Sequence, residues 1–225
     1  TSTIESPAGY PPFTLEYNAA WYGGGTTGQR AVALPAGRSN TSLDLSLSFL
    51  IRGLGTDWRQ FADKRAGADP SYIILHPSLT RQQVLPASFS LVGRIDGQIA
   101  SGPLINNEQF AAGGADSVRG YTEAERLGDN GVHGSLELRT PQLAPKGWSG
   151  VEQLYLLMFA EAAELRTLDP LPRQQATFTL ASAGFGLRFK ADGLAIDLDG
   201  ARILRDGYVT ESGRYRGLVR FNYSY

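Results

Sequence analysis

Cysteine is absent from the 225 residues of this chain. That excludes disulfides, thiolate metal sites and a cysteine nucleophile. Histidine is scarce as well, with His76 and His133 the only two. A metal or triad site built on either needs partners at matching geometry, and neither a Gly-x-Ser-x-Gly nor a His-Glu-x-x-His string occurs. Asp192, Asp197 and Asp199 lie close in sequence, but not at EF-hand spacing; they read as a turn and one face of a strand. The expectation is a protein that is not an enzyme and uses no cofactor or metal. Net charge is nearly absent, at −1, so no nucleic acid partner is expected. No apolar run reaches about 18 residues, which excludes a transmembrane helix. No signal peptide opens the sequence, so the chain reads as a mature form or a piece of something longer.

What is present is two-residue alternation. Phe13, Leu15, Tyr17, Ala19 and Trp21 share one face of a strand, with Thr14, Glu16, Asn18, Ala20 and Tyr22 on the other. Leu43, Leu45, Leu47, Phe49 and Ile51 stand opposite Asp44, Ser46, Ser48 and Arg52. Residues 71–84 alternate more weakly and end at a Leu85-Pro86 turn; residues 87–100 and 132–138 follow the same rule. Residues 152–166 place Leu154, Leu156, Met158 and Ala160 against Tyr155, Leu157, Phe159 and Glu161. Residues 175–190, 193–204 and 214–225 complete the series, with Ala191-Asp192-Gly193 as a tight turn. About nine strands are expected, ten if residues 30–35 add a short one, with no helix and with residues 53–70 as a polar loop.

Many of these strands run ten residues or more, longer than the roughly five or six usual in soluble sheets. Roughly 9–11 tilted residues are what a bilayer-spanning strand needs. Short turns alternating with long loops suit an outer-membrane barrel, and aromatics at strand ends suit its interfacial girdles. A mean hydropathy of −0.20 looks soluble, but hydropathy scans are blind to strands that alternate lipid and lumen faces. The expected fold is an all-β, antiparallel transmembrane outer-membrane β-barrel. A soluble β-sandwich is the competing reading, because alternation alone does not exclude it.

The longest interruption is residues 101–131. Its core, Glu108 to Gly131, reads EQFAAGGADSVRGYTEAERLGDNG, with Val118-Arg119-Gly120-Tyr121 near the middle. It has too few β-branched residues for a strand and too many glycines for a helix. Loops of that length are functional or disordered. Both a loose surface loop and a loop that docks fit the composition.

The string from Glu108-Gln109-Phe110 through Val118-Arg119-Gly120-Tyr121 to Gly128-Asp129-Asn130-Gly131, followed by Leu138-Arg139-Thr140-Pro141 and a terminal strand of alternating aromatics, resembles the C-terminal barrel of two-partner secretion transporters. These are the haemolysin secretion/activation exporters of the BamA-type superfamily, whose signature is Val-Arg-Gly-Phe/Tyr. The resemblance covers nearly the whole chain. It implies that residues 1–225 are the C-terminal part, about 9–10 strands, of a larger barrel of sixteen, with POTRA domains lying outside this chain. It implies that the loop enters the lumen, with Val118, Arg119, Gly120, Tyr121, Gly128, Asp129 and Gly131 as its functional residues. The family's loop arginine contacts the acid of a Phe-x-Asp-x-Gly motif, which here matches Phe159-Ala160-Glu161-Ala162-Ala163. Phe159 and Glu161 are thus the expected lumen partners, with Glu in place of Asp and Ala163 in place of Gly.

The implied function is an outer-membrane pore that secretes an unfolded partner exoprotein. The implied partners are that exoprotein, outer-membrane lipid and lipopolysaccharide, and the barrel-assembly machinery. Phe221, Tyr223 and Tyr225 are the expected C-terminal assembly signal, or simply lipid-facing girdle residues. Two other readings stay open: a BamA-like or TamA-like assembly factor, and the barrel of a patatin-like lipase whose Gly-x-Ser-x-Gly domain would precede Thr1.

Overall fold

The computed structural model describes residues 10–23, 38–53, 58–145, 147–148 and 150–224. The possible strand at residues 30–35 lies outside them, as does Tyr225. Nine strands form one antiparallel sheet: β1 (Phe13–Gly23), β2 (Ser39–Leu50), β3 (Tyr72–Val84), β4 (Ser90–Ala100), β7 (Asn130–Arg139), β8 (Val151–Arg166), β9 (Thr177–Ala191), β10 (Leu194–Ile203) and β11 (Tyr215–Tyr223). Each pairs with its neighbours in chain order. Two short strands, β5 (Phe110–Ala112) and β6 (Arg126–Gly128), form a separate hairpin between β4 and β7. The sheet strands run from 9 residues in β11 to 16 in β8, which reaches or exceeds a bilayer crossing. The sheet is not closed, since β1 and β11 are its edges.

Alternation sets the two faces. One face carries Leu15, Tyr17, Ile73, Ile95, Leu136, Leu156, Phe185, Val219 and Phe221, all exposed. The other, concave face carries Ser46, Ser78, His133, Glu137, Glu161, Asp199 and Arg216. Against it packs nearly everything that is buried: Val118, Tyr121, Leu165, Leu180 and Ile203 in one cluster, and Phe61, Tyr72, Ile74, Leu104 and Ile105 in another. An apolar surface turned outward and a polar surface turned inward is the reverse of a sandwich layer. It is the pattern of a barrel wall in lipid.

The two ends of the sheet differ. The two longest connections, residues 51–71 after β2 and 101–129 around the β5–β6 hairpin after β4, lie at the same end. At the other, β3 passes to β4 through a single 3-10 turn, Pro86–Ser88. There too β9 passes to β10 through Asp192 (φ 45°) and Gly193 (φ 81°); two central residues at positive φ match the twist of a tight hairpin.

Two expectations are corrected. The polar loop at residues 53–70 contains a helix, α1 (Trp58–Lys64). It has only 7 residues, and burial of Phe61 stabilises it where propensity does not. The stretch at residues 101–131 is not an uninterrupted loop: it contains the β5–β6 hairpin, and β7 begins inside it at Asn130.

Candidate functional site

The segment between β4 and β7 folds back onto the concave face. Its root is tied by Gln98, whose amide donates to the Glu108 carbonyl (2.9 Å) and the Asp129 carbonyl (2.9 Å). The β5–β6 hairpin then carries residues 113–125 over β7 to β11. At their centre the Arg119 guanidinium lies 3.6 Å from the centroid of the Phe159 ring, face on. Its Nε donates to Glu161 Oε1 (2.8 Å), while its backbone N–H donates to Glu161 Oε2 (2.7 Å). Nη2 also reaches Glu137 Oε1 at 2.7 Å, and Nη1 reaches Asp199 Oδ1 at 3.2 Å. One guanidinium thus joins carboxylates of β7, β8 and β10. The planar fork of arginine allows this and the single ammonium of lysine does not. All four side chains are largely buried.

Neighbouring arginines balance the charge. Arg139 donates to Glu137 Oε2 (2.6 Å), and Arg188 forks onto Asp199 (2.9 and 3.0 Å). Three cations thus face these three carboxylates, and Arg188 also reaches Asp197 at 3.6 Å. A buried charge is tolerated only when paired in this way.

The rest of the Val-Arg-Gly-Tyr string is equally committed. Val118 is fully buried and Tyr121 nearly so. The Tyr121 hydroxyl donates to the Arg205 carbonyl (2.6 Å) and accepts the Ala181 N–H (3.2 Å). Gly120 has φ +97°, and a Cβ there would stand 3.0 Å from the Ala201 Cβ. Only glycine meets both demands at once. Gly128 lies against Leu165, and Gly131 against the Phe110 ring; at both it is close approach that keeps the side chain small. Ala163, the departure from the family motif, is buried beside Val118 and Tyr121.

Asp129 is fully buried at the root of the segment. Arg65 donates to both of its oxygens, Nη2 to Oδ2 at 2.8 Å. The backbone N–H groups of Leu104 (2.9 Å) and Leu168 (2.6 Å) and the Gln109 amide (3.1 Å) complete its shell. Burial opposes its ionisation, but the Arg65 bond and the backbone donors prevail and hold its pKa below the ordinary value. Glu125 is the third anchor. Its Oε1 accepts three successive N–H groups, those of Tyr208, Val209 and Thr210 (2.8, 2.8 and 2.9 Å), and its Oε2 accepts the Thr210 hydroxyl (2.6 Å). Burial again works against the charge, yet the Thr122 and Thr210 hydroxyls and the backbone donors lower its pKa to about 2.

The structure therefore brings Val118, Arg119, Gly120, Tyr121, Phe159 and Glu161 into one site. Gly128, Asp129 and Gly131 lie at the root of the segment instead. Phe221 and Tyr223 are exposed on the outward face. Sequence reasoning missed Arg65, Glu125, Asp199 and the role of Glu137. Alternation puts Glu137 and Asp199 on the lumen face, which was the available signal; nothing local marks Arg65 or Glu125. His133, one of the two histidines, lies 3.0 Å from Asp96. Among the described residues no group of three or more metal-binding side chains occurs.

A long-stranded antiparallel meander, apolar outside and carrying an inward-folded charged segment, is the wall of a β-barrel. Residues 36–189 match the family described as haemolysin secretion/activation protein ShlB/FhaC/HecB, and the chain belongs to that family. It is a family of outer-membrane secretion transporters rather than enzymes. No curated protein matches the chain.

Proposed function

We propose that this chain forms part of the wall of an outer-membrane pore that secretes an unfolded partner exoprotein. The observation that carries this reading is the seating of Arg119 on Phe159 and Glu161 across the concave face, while the opposite face exposes aliphatic and aromatic side chains. Water and a passing chain belong on the first face and lipid, including lipopolysaccharide, on the second. In this reading residues 1–225 are the C-terminal part of a larger barrel, and POTRA domains that receive the exoprotein lie elsewhere in the full-length protein. Phe221 and Tyr223, with Tyr225, serve as the signal read by the barrel-assembly machinery. The seated segment narrows the lumen, and its Val118-Arg119-Gly120-Tyr121 centre sets the conformation that admits the exoprotein.

The test is conductance of the full-length protein in a planar bilayer, wild type beside Arg119→Ala, together with secretion of the partner from cells. A wild-type pore whose conductance and secretion both change on substitution supports the reading. A soluble monodisperse protein that never inserts removes it.

A further inference from the structure

At the long-loop end, residues 58–70 cover part of the concave face. Phe61 packs on Leu50, Tyr72, Ile74 and Ala100, which point inward from β2, β3 and β4, and on Leu104 and Ile105. Tyr10 adds an edge-on ring contact to Phe61 at 5.3 Å. One inward position further along β3 from Ile74 the wall changes character. His76 and Ser78, with Ser46, Asp44, Glu16 and Asp96, line an open cavity of about 340 Å³ that Leu45, Pro77 and Phe110 also border. The apolar seat of residues 58–70 and this mixed wall are thus consecutive parts of one face.

The way this cover is fastened differs from the way the lumen segment is fastened. Arg65 ties residues 58–70 to Asp129, to the Leu104 carbonyl (2.7 Å) and to the Leu168 carbonyl (2.8 Å). If Arg65 leaves, Asp129 keeps three neutral donors: the N–H groups of Leu104 and Leu168 and the amide of Gln109. If Arg119 leaves, Glu161 keeps no hydrogen-bond donor among the described residues. A buried carboxylate with three donors is tolerable, whereas one with none is not. The Arg65 tie is therefore the cheaper of the two to break.

We propose that residues 58–70 are a lid over the β2–β4 side of the lumen exit, and that Arg65 is the catch that releases it while Arg119 stays seated. The inference rests on the pore reading above, in which a chain leaves along the concave face. Asp129 is the fixed half of the catch, and the apolar seat re-forms when the lid closes.

The test uses the full-length protein in cells, with Ala100→Cys in the buried seat of Phe61; residues 1–225 contain no cysteine, and any cysteine elsewhere in the protein is replaced by serine. A membrane-impermeant maleimide is added from outside. Labelling is expected to be slow in the Ala100→Cys protein and at least about tenfold faster when Arg65→Ala is added, with Arg65→Lys intermediate, because a lysine replaces part of the fork. A cysteine at exposed Tyr208 is expected to label equally in all of them. Should Arg65→Ala fail to insert, the near-isosteric Asp129→Asn gives the same reading. Equal Ala100→Cys rates with and without the catch, in protein that inserts and still secretes, overturn the lid and leave the pore standing. Wild-type protein absent from the outer membrane overturns the pore itself.

Discussion

Glu161 depends on Arg119 more than either of the other carboxylates around that guanidinium does. Glu137 also holds Arg139, and Asp199 also holds Arg188. Among the described residues Glu161 receives its hydrogen bonds from Arg119 alone, through both the side chain and the backbone N–H. The three contacts look alike in distance, but their energetics differ, because the cost of breaking a buried pair is the cost of the charge left behind.

Loss of Arg119 is accordingly expected to act through Glu161. Arg119→Ala should destabilise the seated segment by ~3–5 kcal/mol, the range for one partner removed from a buried pair. Double-mutant cycles on unfolding in detergent should give strong coupling with Glu161→Gln and weak coupling with Glu137→Gln and Asp199→Asn. Equal coupling with all three carboxylates would count against the special position of Glu161.

Gly120→Ala should unseat the segment without touching any charge. The new Cβ meets the Ala201 Cβ at 3.0 Å, on a backbone at φ +97°. Strain in that region alone costs about 1–3 kcal/mol. Limited proteolysis is expected to cut residues 113–125 in this variant and to spare them in the wild type.

Glu125 sets a pH window. Its folded pKa of about 2 lies below its ordinary 4.5. The carboxylate therefore stabilises the attachment of residues 208–210 fully above pH 4.5, and that contribution is lost as pH falls through about 2. Protection factors of the Tyr208, Val209 and Thr210 amides, measured against the intrinsic exchange rate at each pH, should stay high at neutral pH and fall toward pH 2. In Glu125→Gln they should already be lower at neutral pH and change little on acidification over that window.

The outward face makes a plainer prediction. Cysteines replacing Leu47, Leu156 or Phe185 should resist a water-soluble maleimide in the intact membrane, because lipid covers them. Once the protein is in detergent and unfolded, all three should react. Fast labelling in the membrane would point to a water-exposed face there.

The strands were legible because a half-buried strand has a period of two, whichever solvent lies outside. That rule put Phe159, Glu161, Glu137 and Asp199 on one face before any contact was known. The partnership of Arg119 with Glu161 came from a motif resemblance and agreed with that face. Helix α1 was hidden, since seven residues in a polar stretch carry almost no helical periodicity, and its stability comes from Phe61 seated on three strands.

Sequence alone therefore determined the spans, the inward and outward sides, and the loop of consequence, all of which are local repeats or local strings. Tertiary structure alone decided which charges meet. Arg65 is 64 positions from Asp129, and Glu125 is 83 to 85 positions from the amides it accepts. No local pattern encodes such distances. They follow from the order and register of nine strands, which bring the ends of separate loops to the same place.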